Sequence, residues 1–476
     1  MSAATVFEQR DGAPPALPLE VDLPQGGQLR CERVLRHLPG RRLVCAGTLD
    51  GQPVVGKLFY GRHAERYWRR EERGVRALAA HRLPAPPLLH ASALGDECYA
   101  VVTAWREPVR PLHAAYGAAR PERLTDVLAV VDLLARQHAA GLEQTDPHLD
   151  NFLLAREGLL SLDAGALRVH RGPLPRRRGT HNLALLLAHF GPWVDAELPR
   201  LLTVYGDARQ WRATPRLTAL RRALERQRRR RERRYLRKMF RSCSAVEARR
   251  ELAGRTLLRR TADGPQLRAL LRDPAARLSR ADVHWLKRGR TAAVARLRLD
   301  GRECVVKQYN ALGGLKGLRR ALRESRATRS WRAAHWLELL QVPTAAPLGL
   351  REQGLGPLTR RAWLVCEALD GPTLASRLDD AAEQDLPALA RALDASLGRL
   401  HRAGVVHGDL KASNLLVDGT RLALVDLDAV QRPPRWRRRR AQRRDWQRLL
   451  RNFAARPALA GRLESELARL HTEPQR

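Results

Sequence analysis

The chain has very little lysine. Only six of its 87 lysine and arginine residues are lysine, although the formal net charge is +37 over 476 residues. The bias indicates a coding preference for arginine, as in a GC-rich genome, so the positions that keep a lysine are informative. A planar, always-charged guanidinium does not replace a compact ammonium that has to reach a phosphate. The lysines are Lys57, Lys238, Lys287, Lys307, Lys316 and Lys411.

The sequence also lacks paired cysteines and long apolar runs. Its six cysteines form no C-x-x-C motif, which argues against zinc and favours buried thiols in a reducing compartment over disulfides. Residues 1–20 contain no apolar segment typical of a secretory signal. No uncharged apolar run approaches the length of a membrane-spanning helix. We therefore expect a cytoplasmic protein whose contact with a membrane, if any, is peripheral.

What the sequence does contain is a repeated set of polar residues. The set is Lys57, Asp146, Asn151 and Asp163 in the first half and Lys307, Asp409, Asn414 and Asp426 in the second. Each lysine follows a Leu-Asp-Gly turn and a pair of valines, and the spacings from the first aspartate to the asparagine and to the second aspartate are identical. A repeat of about 255 residues is too long for a solenoid and indicates a tandem duplication. Because polar residues keep the spacing, the duplication predicts a repeated site.

The order of the predicted elements indicates the fold class. Each half begins with short strands around a Leu-Asp-Gly hairpin and one helix, and continues mainly with helices. This order predicts an α+β fold, in which a small antiparallel sheet lobe is followed by a larger helical lobe, and the fold is doubled. The apolar content of 44% is sufficient for packed cores.

A lysine, an aspartate, an asparagine and a second aspartate, in this order, are the groups used in ATP-dependent phosphoryl transfer. The lysine is expected to hold the phosphates of ATP that are not transferred. The first aspartate accepts the proton of the attacking hydroxyl or aligns it, and the asparagine and second aspartate bind Mg²⁺. Each residue alone would be read as a turn or surface residue, but the duplicated spacing makes chance improbable.

Three stretches of the second half carry a family resemblance: Val305-Val306-Lys307, His407-Gly408-Asp409-Leu410-Lys411-Ala412-Ser413-Asn414 and Val425-Asp426-Leu427-Asp428. Through them this half resembles the protein-kinase-like superfamily, and within it the lipopolysaccharide core kinases that phosphorylate Kdo or heptose sugars. The first half is similar more loosely, through residues 144–154 and Asp163-Ala164-Gly165. The resemblance implies two tandem bilobal protein-kinase-like domains that use ATP and Mg²⁺.

The resemblance also implies domain boundaries and two further residues. We predict a tail over 1–28, kinase-like domain 1 over 29–245, a linker over 246–280 and kinase-like domain 2 over 281–476. A glutamate is expected to pair with each strand lysine, and the predicted partners are Glu71, with Glu72 one step along, and Glu324. Neither half has a G-x-G-x-x-G loop, and Thr145 and Gly408 stand where protein kinases carry arginine. This favours a small-substrate kinase without activation-loop control.

The positive charge predicts an anionic partner. Arginine runs at 226–234 and 435–440 are either solvated helix faces or contacts to an anionic surface. Nucleic acid is disfavoured because no recognition motif is present, and the resemblance implies an anionic glycolipid, the lipopolysaccharide core, at the inner face of the inner membrane of a Gram-negative bacterium. Two alternatives stay open: a kinase of a protein or small molecule, and a non-catalytic scaffold or anion-binding protein. The oligomeric state is not predicted.

Overall fold

The structure is a computed structural model that divides into two compact units, residues 1–229 and 230–476. It describes residues 15–24, 26–95, 97–110, 112, 121–191, 193–212, 216–252, 254–310, 324–355, 358–378, 386–418, 421–453 and 457–472. The division falls within the helix Leu217–Lys238, whereas the predicted first domain extends to residue 245. Lys316 lies outside the described residues.

The first unit begins with a six-stranded antiparallel sheet. Its strands are β1 (Leu19–Asp22), β2 (Gln28–Leu38), β3 (Arg42–Leu49), β4 (Gln52–Phe59), β5 (Leu88–Gly95) and β6 (Cys98–Ala104), in the order β1-β2-β3-β4-β6-β5. Asp50 and Gly51 both have positive φ between β3 and β4, which matches the two-residue turn that favours right-twisted hairpins. Strand β1 pairs with β2, so part of the predicted tail belongs to the sheet.

The rest of the first unit is mostly helical. The helices are α1 (Ala64–Ala80), α2 (Pro121–Ala139), α3 (Arg176–Leu187), α4 (Val194–Ala208) and α5 (Leu217–Lys238), and the short strands are β7 (Pro108–Arg110), β8 (Leu142–Gln144), β9 (Phe152–Ala155), β10 (Gly158–Ser161) and β11 (Leu167–Val169). Leucines and valines of α2, α3 and α4 form one buried cluster. Helix α2 packs its apolar face on α4, and Leu149, which follows β8, belongs to the same cluster, so the cluster supports the loop after β8.

The second unit also begins with a sheet, here of seven strands. These are β12 (Val246–Glu251), β13 (Gly254–Arg259), β14 (His284–Arg288), β15 (Ala292–Leu299), β16 (Arg302–Tyr309), β17 (Pro347–Leu355) and β18 (Leu358–Glu367), in the order β12-β13-β17-β18-β16-β15-β14. The first two lie in residues 246–280, which the sequence predicts to be a linker. This segment is instead structured, because Leu257 and Leu258 of β13 are buried while the arginines of both strands lie at the surface or pair with acids.

The helical part of the second unit contains α6 (Pro265–Arg272), α7 (Pro274–Leu278), α8 (Arg326–Leu339), α9 (Leu374–Leu378), α10 (Leu386–Leu393), α11 (Arg399–Arg402), α12 (Arg435–Leu450) and α13 (Pro457–Thr472), with short strands β19 (Leu415–Asp418) and β20 (Arg421–Leu424). A π-helical turn at Asp394–Gly398 joins α10 to α11. An apolar cluster formed by α8 and the helices after it supports the loop that precedes β19. The sheet-rich and helical parts of the molecule confirm the predicted α+β class.

Two further expectations can be compared with the structure. Cys31 and Cys45, on the paired strands β2 and β3, form a disulfide with a Cα–Cα distance of 5.6 Å. The expectation of six free thiols is therefore wrong, because a hairpin brought together two cysteines fourteen residues apart. In the described parts of the chain, no helix combines the length and apolar character required to cross a membrane.

Candidate active site

The centre of the second unit is an ion pair between Lys307 and Asp426. Lys307 lies on β16, which has a neighbouring strand on each side in its sheet, and its ammonium contacts the Asp426 carboxylate across 119 residues of sequence. The two side chains are 18% and 36% exposed. The fold therefore brings together the lysine and the second aspartate of the repeated set, in a position that solvent can reach.

The pair changes the charge behaviour of both groups. Burial raises the pKa of Asp426, but the charge and hydrogen bond of Lys307 outweigh it and the pKa is lowered overall. Burial lowers the pKa of Lys307, but the interactions with Tyr309 and Asp426 raise it by more. The pKa of Lys307 is therefore above its ordinary value. Both groups are therefore charged at neutral pH, as phosphate and metal binding require.

The backbone conformation of Asp426 sets the direction of its carboxylate. Asp426 has left-handed dihedrals, φ 60° and ψ 59°, which are uncommon for a residue other than glycine and are often found at functional sites. The residue before it, Val425, donates its N–H to the carbonyl of Asn414 at 3.0 Å. This bond joins the end of β20 to the loop that carries Asp409 and Asn414.

That loop, residues 407–414, is held by a hydrogen bond within the loop and by hydrogen bonds to Asp445 of α12. Asn414 donates its side-chain amide to the backbone carbonyl of Asp409 at 2.9 Å. The backbone N–H groups of His407 and Gly408 donate to the buried carboxylate of Asp445, at 2.7 and 3.0 Å. Burial lowers the pKa of His407, whose ring is 3.0 Å from the carbonyl of Val425. The loop is thus held by hydrogen bonds to its backbone that do not use the Asp409 carboxylate.

Two cations flank the Asp409 carboxylate. Lys411 donates from its ammonium at 3.0 Å and Arg448 from its guanidinium at 3.2 Å, and Arg448 also contacts the carbonyl of Gly408. The side chains of all three are 35–51% exposed. A carboxylate beside two partly exposed cations is suited to align a hydroxyl of an anionic acceptor.

The first unit has the same loop geometry. Asn151 donates to the carbonyl of Asp146 at 2.9 Å, and the residue before Asp163 donates to the carbonyl of Asn151 at 2.9 Å. These bonds repeat those of Asp409, Asn414 and Val425. Asp163 differs from its counterpart in having an ordinary negative φ of −94°.

The acid that contacts the strand lysine differs between the units. In the first unit Lys57 forms an ion pair with Glu71 of α1, which is 1% exposed. Glu71 also accepts the N–H of Gly165 at 3.0 Å, and the Lys57 ammonium lies 3.4 Å from the carbonyl of Leu162. The structure therefore brings together Lys57 and the predicted Glu71. Glu72, the neighbouring alternative, pairs with Arg76 at the surface.

Glu324 does not have the corresponding position in the second unit. Its carboxylate contacts Arg332, so the prediction that it pairs with Lys307 is wrong. The turns after α1 and α8 give the correct equivalence, because Arg82 and Gln341 both have positive φ and the following residues make the same backbone bond. Counting back eleven residues from each leads to Glu71 and to Ser330.

Ser330 and Tyr309 therefore occupy the place of the glutamate. The Ser330 hydroxyl lies 3.1 Å from the Tyr309 hydroxyl, and the Lys307 ammonium lies 5.3 Å from the centre of the Tyr309 ring. Helix α8 is instead joined to the turn that follows Asp426 by an ion pair between Arg326 and Asp428. The arrangement keeps α8 attached to the site without a carboxylate at the position that corresponds to Glu71.

Sequence reasoning did not assign roles to Asp445 or to the Arg326–Asp428 pair. A signal existed for Asp445, which is the only acidic residue in the arginine-rich helix α12. A histidine also stands eight residues before the first aspartate of each set, His138 and His401. His138 has a structural role: it is buried and bonds Tyr205 and Asn182, and burial lowers its pKa to about 3. His401 lies 3.6 Å from Asp445.

The residues present fit a magnesium–nucleotide complex. In the described residues there is no cluster of three or more histidine, cysteine or acidic side chains that would bind a metal without help. Mg²⁺ retains water and takes one or two protein ligands together with substrate phosphates. Asp426 supplies a carboxylate, and Asn414 supplies an amide oxygen because its nitrogen is used on Asp409. The donor set matches a metal that arrives with a nucleotide.

The comparisons with known proteins agree with this chemistry. Residues 277–471 match the model of the Lipopolysaccharide kinase (Kdo/WaaP) family. The resemblance predicted from the second half is thereby confirmed for this stretch, which is kinase-like. The match covers less than half of the 476 residues.

Among solved structures, the chain is similar to WaaP in complex with acyl carrier protein, with 22% identity, 43% of this chain and 96% of that chain covered, and a TM-score of 0.29. It is also similar to vaccinia related kinase 3, with 12% identity, 47% and 93% covered and a TM-score of 0.29. A curated relative is a probable bifunctional tRNA threonylcarbamoyladenosine biosynthesis protein of Methanothermobacter thermautotrophicus, 26% identical over 142 residues. The match takes in 30% of this chain and 24% of that relative, so the chain spans about a quarter of its length.

Proposed function

We propose that the second unit is an ATP-dependent kinase that transfers the γ-phosphoryl group to a hydroxyl of a heptose or Kdo sugar in the lipopolysaccharide core. The observation that carries the proposal is the convergence of Lys307, Asp426 and the loop of Asp409 and Asn414, within the stretch that matches the lipopolysaccharide kinase family. Catalysis of phosphoryl transfer depends on positioning and charge neutralisation, and these side chains supply both.

Each residue has a distinct role in this proposal. Asp409 accepts the proton of the sugar hydroxyl or aligns it, and Lys307 holds the phosphates that are not transferred. Asp426 and Asn414 would hold Mg²⁺, which when bound neutralises charge on the phosphates. Before the nucleotide binds, Lys307 neutralises Asp426. When the nucleotide binds, a phosphate oxygen would in part replace the Asp426 carboxylate as the partner of the Lys307 ammonium.

We also propose that the first unit binds a nucleotide in the same way. Its Lys57 is held by Glu71, and Asp146, Asn151 and Asp163 follow the same loop plan. A buried glutamate fixes the lysine ammonium even without ligand, because Glu71 is held in turn by the N–H of Gly165. The first unit is therefore pre-organised for phosphate.

The location proposed for the protein is the cytoplasmic side of the inner membrane, in peripheral contact with anionic lipid. The arginine-rich helices α5 and α12 would be held near such a surface by about 1 kcal/mol per charge. The anionic acceptor, which is displayed on the same membrane surface, would then be close to the active site. Lys411 and Arg448, which flank Asp409, are placed to attract phosphates already present on the core.

The experiment that tests the proposal measures transfer of radiolabelled γ-phosphate from ATP to purified core glycolipid. Asp409→Asn removes the charge of the proposed base and keeps its shape, and we expect a loss of about 10²–10⁴-fold in kcat. Asp370→Asn is the matched control, because Asp370 is a carboxylate of the same unit that forms an exposed ion pair with Arg296. We expect it to retain wild-type turnover.

Several results would contradict the proposal. Equal activity of Asp409→Asn and Asp370→Asn would remove Asp409 from the mechanism. Transfer to a protein or small molecule but not to the glycolipid would favour a different kinase. Absence of any Mg²⁺-dependent rise in Tm with ATP would favour a non-catalytic protein. The separate variant Asp146→Asn, read in the same assay, reports on turnover by the first unit.

A further inference from the structure

A large cavity in the first unit is lined by arginines that the phosphotransfer chemistry does not use. Its volume is about 1010 Å³, and its lining includes Arg176, Arg177, Arg178, Arg222 and Arg226. None of the candidate site residues of the first unit lines it. The cavity is therefore separate from the proposed nucleotide site.

The arginines come from two helices. Arg176, Arg177 and Arg178 form the first turn of α3, where unpaired N–H groups add partial positive charge. Arg222 and Arg226 are four residues apart on α5, so they share one face of that helix. Small side chains, Ala219 and Ala223, lie beside them in the lining and leave space between the guanidinium groups.

The cavity contains very little negative charge to balance these groups. Its one acidic lining residue is Glu143, which already accepts hydrogen bonds from Arg178 at 3.0 Å and from His170 at 3.1 Å. Burial raises the pKa of Glu143, but the bonds with Arg178 and His170 lower it overall. The carboxylate is therefore ionised and engaged. Arg176 lies over the ring of Trp211, at 5.2 Å from its centre.

Arginines elsewhere on α5 are paired, which makes the contrast informative. Arg228 forms an ion pair with Asp195 at 2.9 Å, and Arg229 forms one with Glu225 at 2.5 Å. In the part of the chain that the structure describes, Arg222 and Arg226 have no carboxylate within ion-pair distance, and neither has Arg177 of α3. Cations gathered around a concave surface without counter-charge repel one another, and this repulsion is relieved when an anion enters.

We propose that this cavity is an anion site that binds a ligand carrying two or more phosphate groups. Guanidinium groups bind phosphate oxygens in pairs of parallel hydrogen bonds. The α3 turn and the α5 face present two separate groups of donors, so they suit two phosphates better than one. The ligand is either a phosphate-bearing lipid head group or a soluble polyphosphate, because both offer the same chemistry. The proposal does not depend on turnover in the second unit.

The first test uses the full-length chain and pyrophosphate as the probe, with binding measured by calorimetry at low salt and without metal. Arg222→Gln with Arg226→Gln removes the two α5 guanidinium groups, and we expect affinity to fall about tenfold or more because charge-assisted phosphate contacts are lost. The control is Arg216→Gln with Arg221→Gln, which removes the same charge at and near the start of α5 but outside the lining. We expect the control to bind within about twofold of wild type, because exposed charges outside the cavity are screened.

A second double variant, with lysine in place of both arginines, distinguishes loss of the anion site from loss of the fold. Arg222→Lys with Arg226→Lys keeps the charge and the helix but removes the planar donor fork, so an intermediate affinity with unchanged Tm supports the proposal. Equal loss of binding in the cavity pair and the control pair would overturn it. No pyrophosphate binding by the wild-type chain at low salt would also overturn it, whatever the kinase assay shows.

A second arm distinguishes the two sources of phosphate. Vesicles of phosphatidylcholine with phosphatidylglycerol are floated with each variant, with and without pyrophosphate. Vesicle binding that falls in the cavity pair only, and that pyrophosphate competes, supports a lipid head group. Pyrophosphate binding with vesicle association that is equal in all variants supports a soluble ligand. A cavity pair that loses RNA binding but keeps pyrophosphate affinity would contradict the proposal and favour nucleic acid.

Discussion

At the scale of single residues, the two units hold their strand lysine with different acids. Lys57 is bound to a buried glutamate of a helix, and Lys307 to an aspartate at the end of a strand. The aspartate is also the residue proposed to bind the metal. The two sites therefore begin from different resting charge arrangements, although two hydrogen bonds of their loops are the same.

The Lys307–Asp426 pair gives a testable dependence of stability on pH. Because the folded pKa of Asp426 is below its ordinary 3.8, its contribution is present above that pH and is lost as pH falls through the folded value. Because the folded pKa of Lys307 is above 10.5, its contribution is present below that pH and is lost as pH rises through the folded value.

We therefore expect the difference in free energy of unfolding between wild type and Asp426→Asn to be constant between about pH 5 and 9 and smaller outside that window. Urea unfolding at a series of pH values measures it. Asp370→Asn is the control, because removing an exposed ion pair changes stability little. A difference that grows on acidification would show that Asp426 is not held by the lysine.

At this scale the sequence was most informative where contacts are local. The bond from Asn414 to the carbonyl of Asp409 spans five residues, and the fixed spacing of the repeat predicted that the two act together. The partner of Lys307 depends on where α8 lies after residues 311–323, which the structure does not describe. Glu324 was the only acid near the expected position, so the choice by residue type led to it, and the turns after α1 and α8 were needed to show that Ser330 takes the glutamate position.

At the scale of elements, the loop of residues 407–414 is attached to α12 by one carboxylate. Asp445 accepts the N–H groups of His407 and Gly408 and is 2% exposed. Replacing it with asparagine removes the charge that strengthens both bonds. We expect Asp445→Asn to lower the free energy of unfolding by about 1–3 kcal/mol and to lower kcat more than it raises KM.

Chemical denaturation and steady-state kinetics of the same preparation test this expectation. Asp394→Asn is a suitable control, since Asp394 forms a partly exposed ion pair with Arg402 in the same unit. Wild-type kinetics in Asp445→Asn together with lowered stability would mean that α12 supports the fold only. In that case the orientation of Asp409 would depend on the bond from Asn414.

Glycine at position 408 is required by both conformation and space. Its φ is 83°, and a Cβ there would lie 2.5 Å from the carbonyl oxygen of Ala429. Gly301 in the hairpin has a similar φ of 79° but open space around it. We expect Gly301→Ala to lower stability by about 1 kcal/mol through backbone strain alone, with activity unchanged.

Gly408→Ala combines the same strain with a steric clash at the loop. We expect it to displace the loop and to lower kcat by about tenfold or more, because small misplacements of positioned groups are costly in rate. Comparing kcat and Tm of the two alanine variants tests this. Equal kinetics in both would show that the loop tolerates the shift.

Elements were predicted well where a strong local signal exists. The two Asp-Gly hairpins, with Asp50 and Asp300 both at positive φ, were expected from two residues each. The strand pair over 246–259 was not, because arginine and glutamate at six of its twelve strand positions hide the alternation of buried and exposed side chains. Its place in the sheet is decided by β17, which is almost one hundred residues away in sequence.

At the scale of the whole molecule, the charge of +37 predicts how the protein meets a membrane. We expect association with vesicles that contain phosphatidylglycerol and a steep loss of binding as salt rises from about 0.05 M to about 0.5 M, because screening shortens electrostatic attraction. Neutral phosphatidylcholine vesicles are the control. Binding that is equal on both vesicles and insensitive to salt would contradict the expectation.

One consequence follows from the serine that stands in the glutamate position. In protein kinases the strand lysine and the helix glutamate must meet before turnover, and moving the helix is a means of control. Ser330 carries no charge to offer Lys307, so swinging α8 outward cannot break a salt link there. We expect the second unit to be active whenever ATP is present, so that its rate of phosphoryl transfer depends on the concentration of the acceptor. In the first unit, Glu71 of α1 does contact the strand lysine, so an outward movement of α1 would break that ion pair.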